Sequence, residues 1–345
     1  MSKSINPDHR QPALEIGIVG SGGMGYSRAK IILGSKQANL AWVCSRSKRR
    51  ADRFVKDLAE EPTAGQDAVL PVVDVQAALA EIRTHALIVC TPNTQHHDVV
   101  RLALEHGKHV LVEYPHAVSV AEGKQQLALA QRDGLVLHVG LTHRHSGMHA
   151  ELLRLLALQG RPGGMGLPRA YHFMTCSGNP ISRWYNRDEL SGGMFVASLY
   201  HYIDAAVALL GGVKRATAHY DSTRDAEGII SRDCASLMLE FENGCTAQLS
   251  YARGFPKPGL GSVFTIICEG GYLRIEGGKI HQAGPEGKRT IVPESCDTVS
   301  VDTNAFLHAV QSGLTTNKTA HEAQISLEIA CNAQGAVDES RATDR

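Results

Sequence analysis

The chain has 345 residues, of which 43% are hydrophobic, and its 35 basic side chains are balanced by 35 acidic ones. This length exceeds most single hydrophobic cores, so we expect two domains. The balanced charge excludes the positive field that attracts nucleic acids or acidic membrane surfaces, and no apolar stretch is long enough to span a bilayer. We therefore expect small-molecule partners, with no nucleic acid and no membrane.

The eight cysteines are scattered and form no C-x-x-C pair. This usage is typical of a reducing compartment and favours a cytoplasmic protein. Residues 1–11 are polar and lack the apolar core of a signal peptide. We interpret them as a frayed leader.

A glycine-rich turn follows the first apolar run, residues 14–19, and precedes a helix-like segment, residues 26–33. A strand, a glycine turn and a helix start form a dinucleotide-binding fingerprint, because the phosphates lie on unpaired N–H groups at the positive end of the helix. In this fingerprint, Gly20 allows the tight turn and Gly22 lets the backbone approach the pyrophosphate. Gly25 lets the helix pack closely against the strand. The predicted cradle comprises Gly20, Gly22, Gly23, Met24 and Gly25.

The end of the second strand, residues 39–44, decides which cofactor is preferred. A site that prefers NAD normally has an acidic residue here for the ribose hydroxyls, but this chain has Ser45 and Arg46. A hydroxyl and a planar cation suit a 2′-phosphate, so the sequence favours NADP(H) over NAD(H). The following Lys48, Arg49 and Arg50 are interpreted individually as a solvated helix start.

Helices predicted over residues 51–60 and 74–81 and a strand over 86–90 continue the alternation, which indicates a parallel sheet. The loop after that strand lies where open parallel sheets hold their ligands. It supplies the cofactor-facing candidates Thr91, Pro92, Asn93 and His96. We interpret the adjacent His96 and His97 as the start of a helix rather than a metal site.

A helix over residues 98–106 and a strand over 109–113 bring Glu113 and Tyr114 to the same edge of the sheet. A strand over residues 136–140 completes a predicted cofactor domain, residues 1–140. Arg144, with His143 and His145, either lines the cleft or belongs to a solvated linker; the sequence leaves both open. A helix is predicted over residues 151–158.

The second half, residues 141–345, is predicted to be a substrate-binding and oligomerisation domain. Trp184 and Tyr185 lie in a polar and aromatic loop, residues 179–187, that could wall a substrate pocket. Glycine-containing turns at residues 243–244 and 270–271 indicate hairpins, and hence an antiparallel, open-faced sheet. Its uncovered face predicts a homodimer or homotetramer. Strands are predicted over residues 170–175, 216–220, 234–242, 245–251, 264–269 and 272–276, and closing helices over 303–312 and 321–336.

These motifs together resemble the Gfo/Idh/MocA family, that of glucose–fructose oxidoreductase and inositol dehydrogenase. The resemblance covers nearly the whole chain. It implies an NAD(P)-dependent oxidoreductase, with an N-terminal Rossmann doubly wound parallel sheet and a C-terminal α+β domain whose last helix is expected to pack back on the N-terminal domain. It also implies a helix over residues 199–210, on which His201 is the first candidate for proton donor or substrate anchor. Asp204 is expected to orient a neighbour or to cap. The matching residues are the glycine loop, Thr91-Pro92-Asn93 with His96, Gly107-Lys108-His109-Val110, Glu113 and Pro115, and Ser191-Gly192-Gly193 with His201 and Asp204.

Two residues depart from the family pattern. Tyr114 stands where the family usually has a catalytic lysine, and Ala197 stands where it usually has an aspartate. The stretch Val112-Glu113-Tyr114-Pro115 is similar to biliverdin reductases. Tyrosine, with a reference pKa of about 10, is a poor base but an acceptable hydrogen-bond donor, so the substitution favours reduction. A role for Tyr114 in packing beside the nicotinamide remains open.

The leading hypothesis is a reductase that transfers hydride from NADPH to a C=O, C=N or conjugated C=C bond of a small molecule. The candidate catalytic residues are His201 and Tyr114, with water as a further proton source. The substrate candidates are Arg144, Trp184, Tyr185 and His201. The alternatives are a sugar or cyclitol dehydrogenase, a catalytically inactive cofactor-binding sensor, and a redox-neutral lyase or glycosidase.

Overall fold

A computed structural model of the chain describes residues 12–61, 68–158, 164–178, 183–255 and 261–343. The predicted leader, residues 1–11, and residues 179–182 of the predicted aromatic loop lie outside the described residues. Within the described part of the chain, no helix is both long and apolar enough to cross a membrane.

The first half forms a six-stranded parallel sheet in the order β3-β2-β1-β4-β5-β6. This is the order of doubly wound dinucleotide-binding folds, and it confirms the predicted Rossmann sheet. All four residues of β4 are buried, as expected for a parallel strand covered on both faces. The strands are β1 Leu14–Val19, β2 Ala38–Cys44, β3 Leu70–Val72, β4 Ala86–Val89, β5 His109–Glu113 and β6 Leu137–Gly140.

Five helices alternate with these strands, and two elements of this half were not predicted. Strand β3 is only three residues long and contains Pro71, so it has no periodic signal. Helix α5 was missed although the sequence has a capping residue at its start: the Ser119 side chain accepts a hydrogen bond from the backbone N–H of Glu122. The helices are α1 Gly23–Leu33, α2 Lys48–Ala59, α3 Val75–Glu81, α4 His96–Glu105 and α5 Val120–Arg132.

The second half contains an eight-stranded sheet in the order β14-β13-β12-β11-β7-β10-β9-β8. Most neighbours are antiparallel, as predicted, but β7 runs parallel to β10 because it enters the sheet between β11 and β10 without a hairpin. The last two strands were not predicted. The strands are β7 Pro168–Ser177, β8 Val213–Arg224, β9 Ile230–Phe241, β10 Thr246–Arg253, β11 Ser262–Cys268, β12 Gly271–Glu276, β13 Lys279–Gly284 and β14 Gly287–Ile291.

One face of this sheet is covered by helices and the other is open. Tyr171 and Phe173 of β7 point to the covered face and are buried, whereas Met174, Met238 and Ile267 are exposed on the opposite face. This alternation follows from the period of two along a strand. The helices of this half are α6 Gly147–Ala157, α7 Asp188–Ser191, α8 Tyr200–Leu210, α9 Thr298–Ser312 and α10 Lys318–Thr343.

The start of helix α10 contacts the edge strand of the first sheet. The side chain of Asn317 accepts a hydrogen bond from the backbone N–H of Leu137 at 2.9 Å, and that of Thr319 accepts one from Val139 at 3.1 Å. Both N–H groups belong to β6, the edge strand, so the start of α10 satisfies an edge that would otherwise be unpaired.

Candidate active site

The glycine loop has the backbone geometry that the fingerprint predicts. Gly20 has a φ of +114°, and a Cβ atom on it would lie 2.3 Å from the carbonyl oxygen of Cys90. A Cβ on Gly25 would lie 2.1 Å from the carbonyl oxygen of Gly20. Neither position tolerates a side chain, because backbone atoms cannot yield as a flexible side chain can.

The next glycines face open space. A Cβ atom on Gly22 or Gly23 would meet nothing within 4 Å. Helix α1 begins at Gly23 with no side-chain cap and no acidic residue in its first turn. Its unpaired N–H groups and this space fit a pyrophosphate, and Met24, 37% exposed, lies in the same first turn.

The residues predicted to read the ribose end lie beside this loop. The Oγ atoms of Ser45 and Ser21 are 2.7 Å apart, so the end of β2 contacts the glycine loop directly. Arg46 is exposed and forms no ion pair within the described part of the chain. A neighbouring hollow of about 450 Å³ is rich in arginine; it is lined by Ser21, Arg49, Arg50, Arg53, Phe54 and Asp57.

His96 organises the loop after β4. It is buried at the start of α4, where the sequence placed a helix start. Its Nδ1 lies 2.7 Å from the carbonyl oxygen of Pro115 and its Nε2 lies 2.8 Å from that of Thr91. The ring of His96 therefore lies between the two loops at the carboxyl edge of the sheet, and its neutral form donates to one of these two carbonyl oxygens.

Asn93 joins the same loop to the second half of the chain. Its side-chain amide donates to the carbonyl oxygen of Ser191 at 2.9 Å. Thr91 and Pro92 precede it at the sheet edge, so this contact fixes the rim on which a nicotinamide would lie.

Glu113 is part of a buried ion-pair cluster. The guanidinium of Arg28, which is fully buried, lies 2.9 Å from Glu113 and 2.6 Å from Asp302 of α9. His138 lies 2.8 Å from the same aspartate. The cluster holds the end of β5, and with it Tyr114, against α1 and α9.

Tyr114 and His201 meet in the cleft. Their ring centroids are 5.0 Å apart, and Tyr114 also stacks on Tyr200 at 5.7 Å. Burial, reinforced by the nearby Tyr185 and Glu113, raises the pKa of Tyr114 far above its usual range, so its hydroxyl stays protonated. Burial also lowers the pKa of His201 to about 3, so this imidazole is neutral at physiological pH.

The imidazole of His201 has an unused polar atom. Its Nδ1 is buried and has no hydrogen-bond partner among the described residues. A buried polar atom without a partner is costly unless a ligand satisfies it. His201 and Tyr114 therefore offer neutral polar groups to a bound molecule.

Asp204 lies one helical turn beyond His201 and is completely buried. Arg144 donates to it through Nε at 2.7 Å and Nη2 at 2.8 Å, and Ser326 donates at 2.8 Å. The Nε2 atom of His143 lies 2.9 Å from the same carboxylate. Burial alone would raise the pKa of Asp204, but the contacts from His143 and Arg144 hold it well below its usual range.

Arg144 is thus fully engaged. Its remaining terminal nitrogen donates to Glu322 of α10 at 2.6 Å. The guanidinium joins Asp204 on α8 to α10 and orients the segment that carries His143. These contacts give Arg144 a positioning role between α8 and α10, and it is not among the residues that line the cavity described below.

Replacing Asp204 by asparagine is expected to destabilise the protein by about 3 kcal/mol, because it leaves the Arg144 charge without its buried partner. Glu151→Gln is the matched control, because the Glu151–Arg154 pair lies on an exposed helix face and should contribute less than about 1 kcal/mol. Urea unfolding at pH 7 measures both. Equal losses for the two variants would contradict the assigned role of Asp204.

A cavity of about 600 Å³ opens beside this network, between helices α6 and α8 and strands β7 and β11. Three imidazoles lie together along it: the ring of His143 is 4.0 Å from that of His201 and 6.0 Å from that of His149. Trp184 and Tyr185 stack on each other at 3.9 Å and are not among its lining residues. His149 and Tyr202 line it but were not identified from the sequence, because neither belongs to a recognisable motif.

The fold and the cleft define a class, that of dinucleotide-binding oxidoreductases with a second, sheet-based domain. Residues 14–141 match the oxidoreductase family with an NAD-binding Rossmann fold, and residues 161–274 match the GFO/IDH/MocA C-terminal domain. Together these matches span well over half of the chain. The chain belongs to the Gfo/Idh/MocA family of NAD(P)-dependent oxidoreductases.

Its relatives include both dehydrogenases and reductases. It is 27% identical over 244 residues to scyllo-inositol 2-dehydrogenase (NAD(+)) of Bacillus subtilis, covering 69% of this chain and 67% of that protein. It is 26% identical over 268 residues to dTDP-3,4-didehydro-2,6-dideoxy-alpha-D-glucose 3-reductase of Streptomyces antibioticus, covering 77% and 76%. The biliverdin reductase of Synechocystis sp. PCC 6803, solved with biliverdin and NADP+, has a similar fold, with a TM-score of 0.83 at 24% identity over 94% of this chain and 98% of that one.

Proposed function

We propose that the protein is an NADPH-dependent reductase that acts on a C=O, C=N or conjugated C=C bond. The observation that carries this proposal is the pairing of a protonated Tyr114 with a neutral His201, 5.0 Å apart in the cleft. Oxidation of an alcohol needs a base near the hydroxyl, but Tyr114 stays protonated and His201, whose pKa is lowered to about 3, is only a weak base. Reduction needs donors beside the atom that gains negative charge, and both groups can donate.

The roles of the individual residues follow from this proposal. When bound, NADPH supplies the hydride. The residues around the pyrophosphate, Gly20, Gly22, Gly23, Met24 and Gly25, hold it through backbone N–H groups. Thr91, Pro92, Asn93 and Glu113 shape the nicotinamide rim, which His96 braces. His201 and Tyr114 donate hydrogen bonds to the reacting group, and the added proton comes ultimately from water, either directly or through one of these residues, which water then reprotonates. Tyr185, which is close enough to Tyr114 to affect its pKa, and Trp184, which stacks on Tyr185, would contact the substrate outside the cavity, and Arg144 acts by positioning Asp204 and His143.

The preference for NADP(H) rests on Ser45 and Arg46. The absence of a carboxylate at the end of β2 removes repulsion of a 2′-phosphate, and the exposed guanidinium of Arg46 has no competing ion pair among the described residues. The adjoining Arg49 and Arg50 add positive charge.

Arg46→Ala is expected to weaken NADPH binding about 10- to 100-fold while changing NADH binding little, because a charge-assisted hydrogen bond is lost only with the 2′-phosphate. Lys48→Ala, which removes the same charge from the same segment, serves as the control, because Lys48 already pairs with Asp52 at 2.9 Å. Calorimetric titration with each cofactor measures the effect. Equal losses for NADPH and NADH would contradict the role of Arg46.

The reaction itself is tested by mixing the pure protein with NADPH and a panel of ketones, imines and bilins. We expect loss of the reduced-nicotinamide absorbance with at least one class. Bound cofactor without turnover on any of them would count against a reductase. The similarity to an inositol dehydrogenase supports a second candidate, a cyclitol dehydrogenase, which instead predicts NADP+ reduction by polyols at a rate that rises with pH.

Domain boundaries, assembly and compartment are part of the proposal. We place the boundary between residues 140 and 141, after β6. The open sheet face, with Met174, Met238 and Ile267 exposed, supports pairing of subunits as a homodimer or homotetramer. The scattered, unpaired cysteines support a cytoplasmic location.

A further inference from the structure

The cavity beside His201 is lined mainly by apolar side chains. It lies on the covered face of the second sheet and has a volume of about 600 Å³, within the range of small-molecule sites. Its walls are made largely by aliphatic and aromatic side chains, among them Leu152, Tyr171, Phe173, Leu209, Phe264 and Ile275.

The polar groups along these walls are mostly already engaged. Ser146 donates to the carbonyl oxygen of His143 at 2.7 Å, and Ser262 lies 2.9 Å from the hydroxyl of Thr175. Glu276 pairs with Arg274 at 3.0 Å. His149, His201, the Nδ1 atom of His143 and the hydroxyls of Tyr171 and Tyr202 are the lining groups that remain for a ligand.

The charge of the cavity restricts its ligand further. No lysine or arginine is among its described lining residues. A diphosphate or carboxylate buried there would lack a cation, and a molecule with many hydroxyls would find few partners along the aliphatic and aromatic walls to replace its hydrogen bonds to water. Apolar surface, in contrast, gains from burial in proportion to its area.

The cavity extends along helix α8. His201, Ala205 and Leu209 are spaced four residues apart and all line it, so they form one row from the reacting end toward the far end. We propose that the cavity is the substrate pocket and that it takes an uncharged, elongated apolar molecule whose reducible carbonyl, imine or conjugated double bond meets His201. This inference rests on the proposed reductase function.

The reaction would balance in the usual way. The substrate carbon gains a hydride from NADPH, the C=O, C=N or C=C π bond breaks, and the oxygen, nitrogen or neighbouring carbon gains one proton. NADP+ leaves as the oxidised product. The apolar body takes no part in the chemistry but positions the reacting carbon.

Binding is tested without turnover by a neutral aryl ketone, 6-propionyl-2-(dimethylamino)naphthalene, whose emission shifts to the blue in apolar surroundings. We expect a saturable blue shift with the wild-type protein. Ala205→Phe should abolish this shift and Ala205→Leu should reduce it, because each larger side chain occupies part of the cavity that residue 205 lines. Ala208→Phe is the matched control, since Ala208 lies on the same helix but does not line the cavity. NADPH titration of each variant confirms that it is folded.

No saturable shift with the wild type, or the same shift with Ala205→Phe as with Ala208→Phe, would overturn the assignment of the pocket. A kinetic series of straight-chain methyl ketones adds a second criterion. We expect kcat/KM to rise about fourfold for each added methylene until the cavity is full. A flat or falling series beside efficient reduction of a cyclitol ketone would refute the substrate class alone, whereas a protein that binds NADPH but turns over no substrate would refute the reductase.

Discussion

Gly22→Ala is expected to leave the protein folded but to weaken NADPH binding about 10- to 100-fold, as overpacking of a close contact does. In the protein alone, a Cβ atom on this residue meets nothing within 4 Å, so folding has no reason to fail. The loss arises only when a pyrophosphate must approach the backbone at that point. Calorimetric titration with NADPH, together with thermal unfolding, measures the two effects separately.

Two other glycine variants serve as controls for Gly22→Ala. Gly335→Ala, on an exposed position of α10 where a Cβ atom also has free space, is expected to leave binding unchanged. Gly25→Ala is expected to reduce both stability and binding, because its Cβ would lie 2.1 Å from the carbonyl oxygen of Gly20. Normal NADPH affinity in Gly22→Ala would show that the phosphates lie elsewhere.

His201→Ala is expected to lower kcat by about 10²- to 10³-fold, the usual effect of removing a donor from the developing charge, while NADPH affinity stays unchanged. His308→Ala controls for loss of a histidine, because His308 is exposed on α9. Tyr114→Phe separates donation from packing, since it keeps the ring and removes only the hydroxyl. A retained kcat in His201→Ala would refute the role of His201 at the reacting group.

The pH dependence gives the same prediction a second test. Because the pKa of His201 is lowered to about 3, the ring is already neutral throughout the range from about pH 5 to 8, so kcat should not follow its titration there. An imidazolium acid would behave oppositely, with kcat falling as pH rises through about 6.5. That fall, if it disappeared in His201→Ala, would contradict a neutral donor.

The features that could be predicted from the sequence are those that depend on neighbouring residues in the chain. The glycine loop must be a turn because only glycine fits at Gly20 and Gly25, and the buried strand β4 shows an uninterrupted apolar run. The resemblance to the family then identified His201 on a helix, and the structure brings it next to Tyr114 from a position far away in the chain. Strand β3 escaped prediction because three residues carry no period.

The remaining parts of the site depend on tertiary packing. Nothing near Arg144 in the sequence indicates that it pairs with Asp204, sixty residues away, or with Glu322 on the last helix. His149 enters the cavity because α6 packs beside α8, and the apolar character of that cavity comes from strands and helices that are distant in sequence. Such contacts have no signature in spacing or composition.

The departure at Tyr114 has a physical meaning in this setting. A lysine there would bring a charge close to His201 and could act as a base, whereas the buried phenol stays protonated. The apolar cavity beside His201 is, by the proposal above, better suited to an apolar substrate than to a hydroxyl-rich one. Tyr114 contacts His201, which lines the cavity, so under the proposed function the two features together favour reduction of a less polar molecule.

The central claim is that a nicotinamide cofactor bound at the glycine loop reaches the cleft at His201. A crystal structure of the NADPH complex tests it most directly. We expect the pyrophosphate on the N-terminus of α1 and the nicotinamide ring beside Tyr114, with its hydride-bearing carbon facing His201 and the mouth of the apolar cavity. Crystals without cofactor density at saturating NADPH, or a nicotinamide directed away from His201, would contradict it.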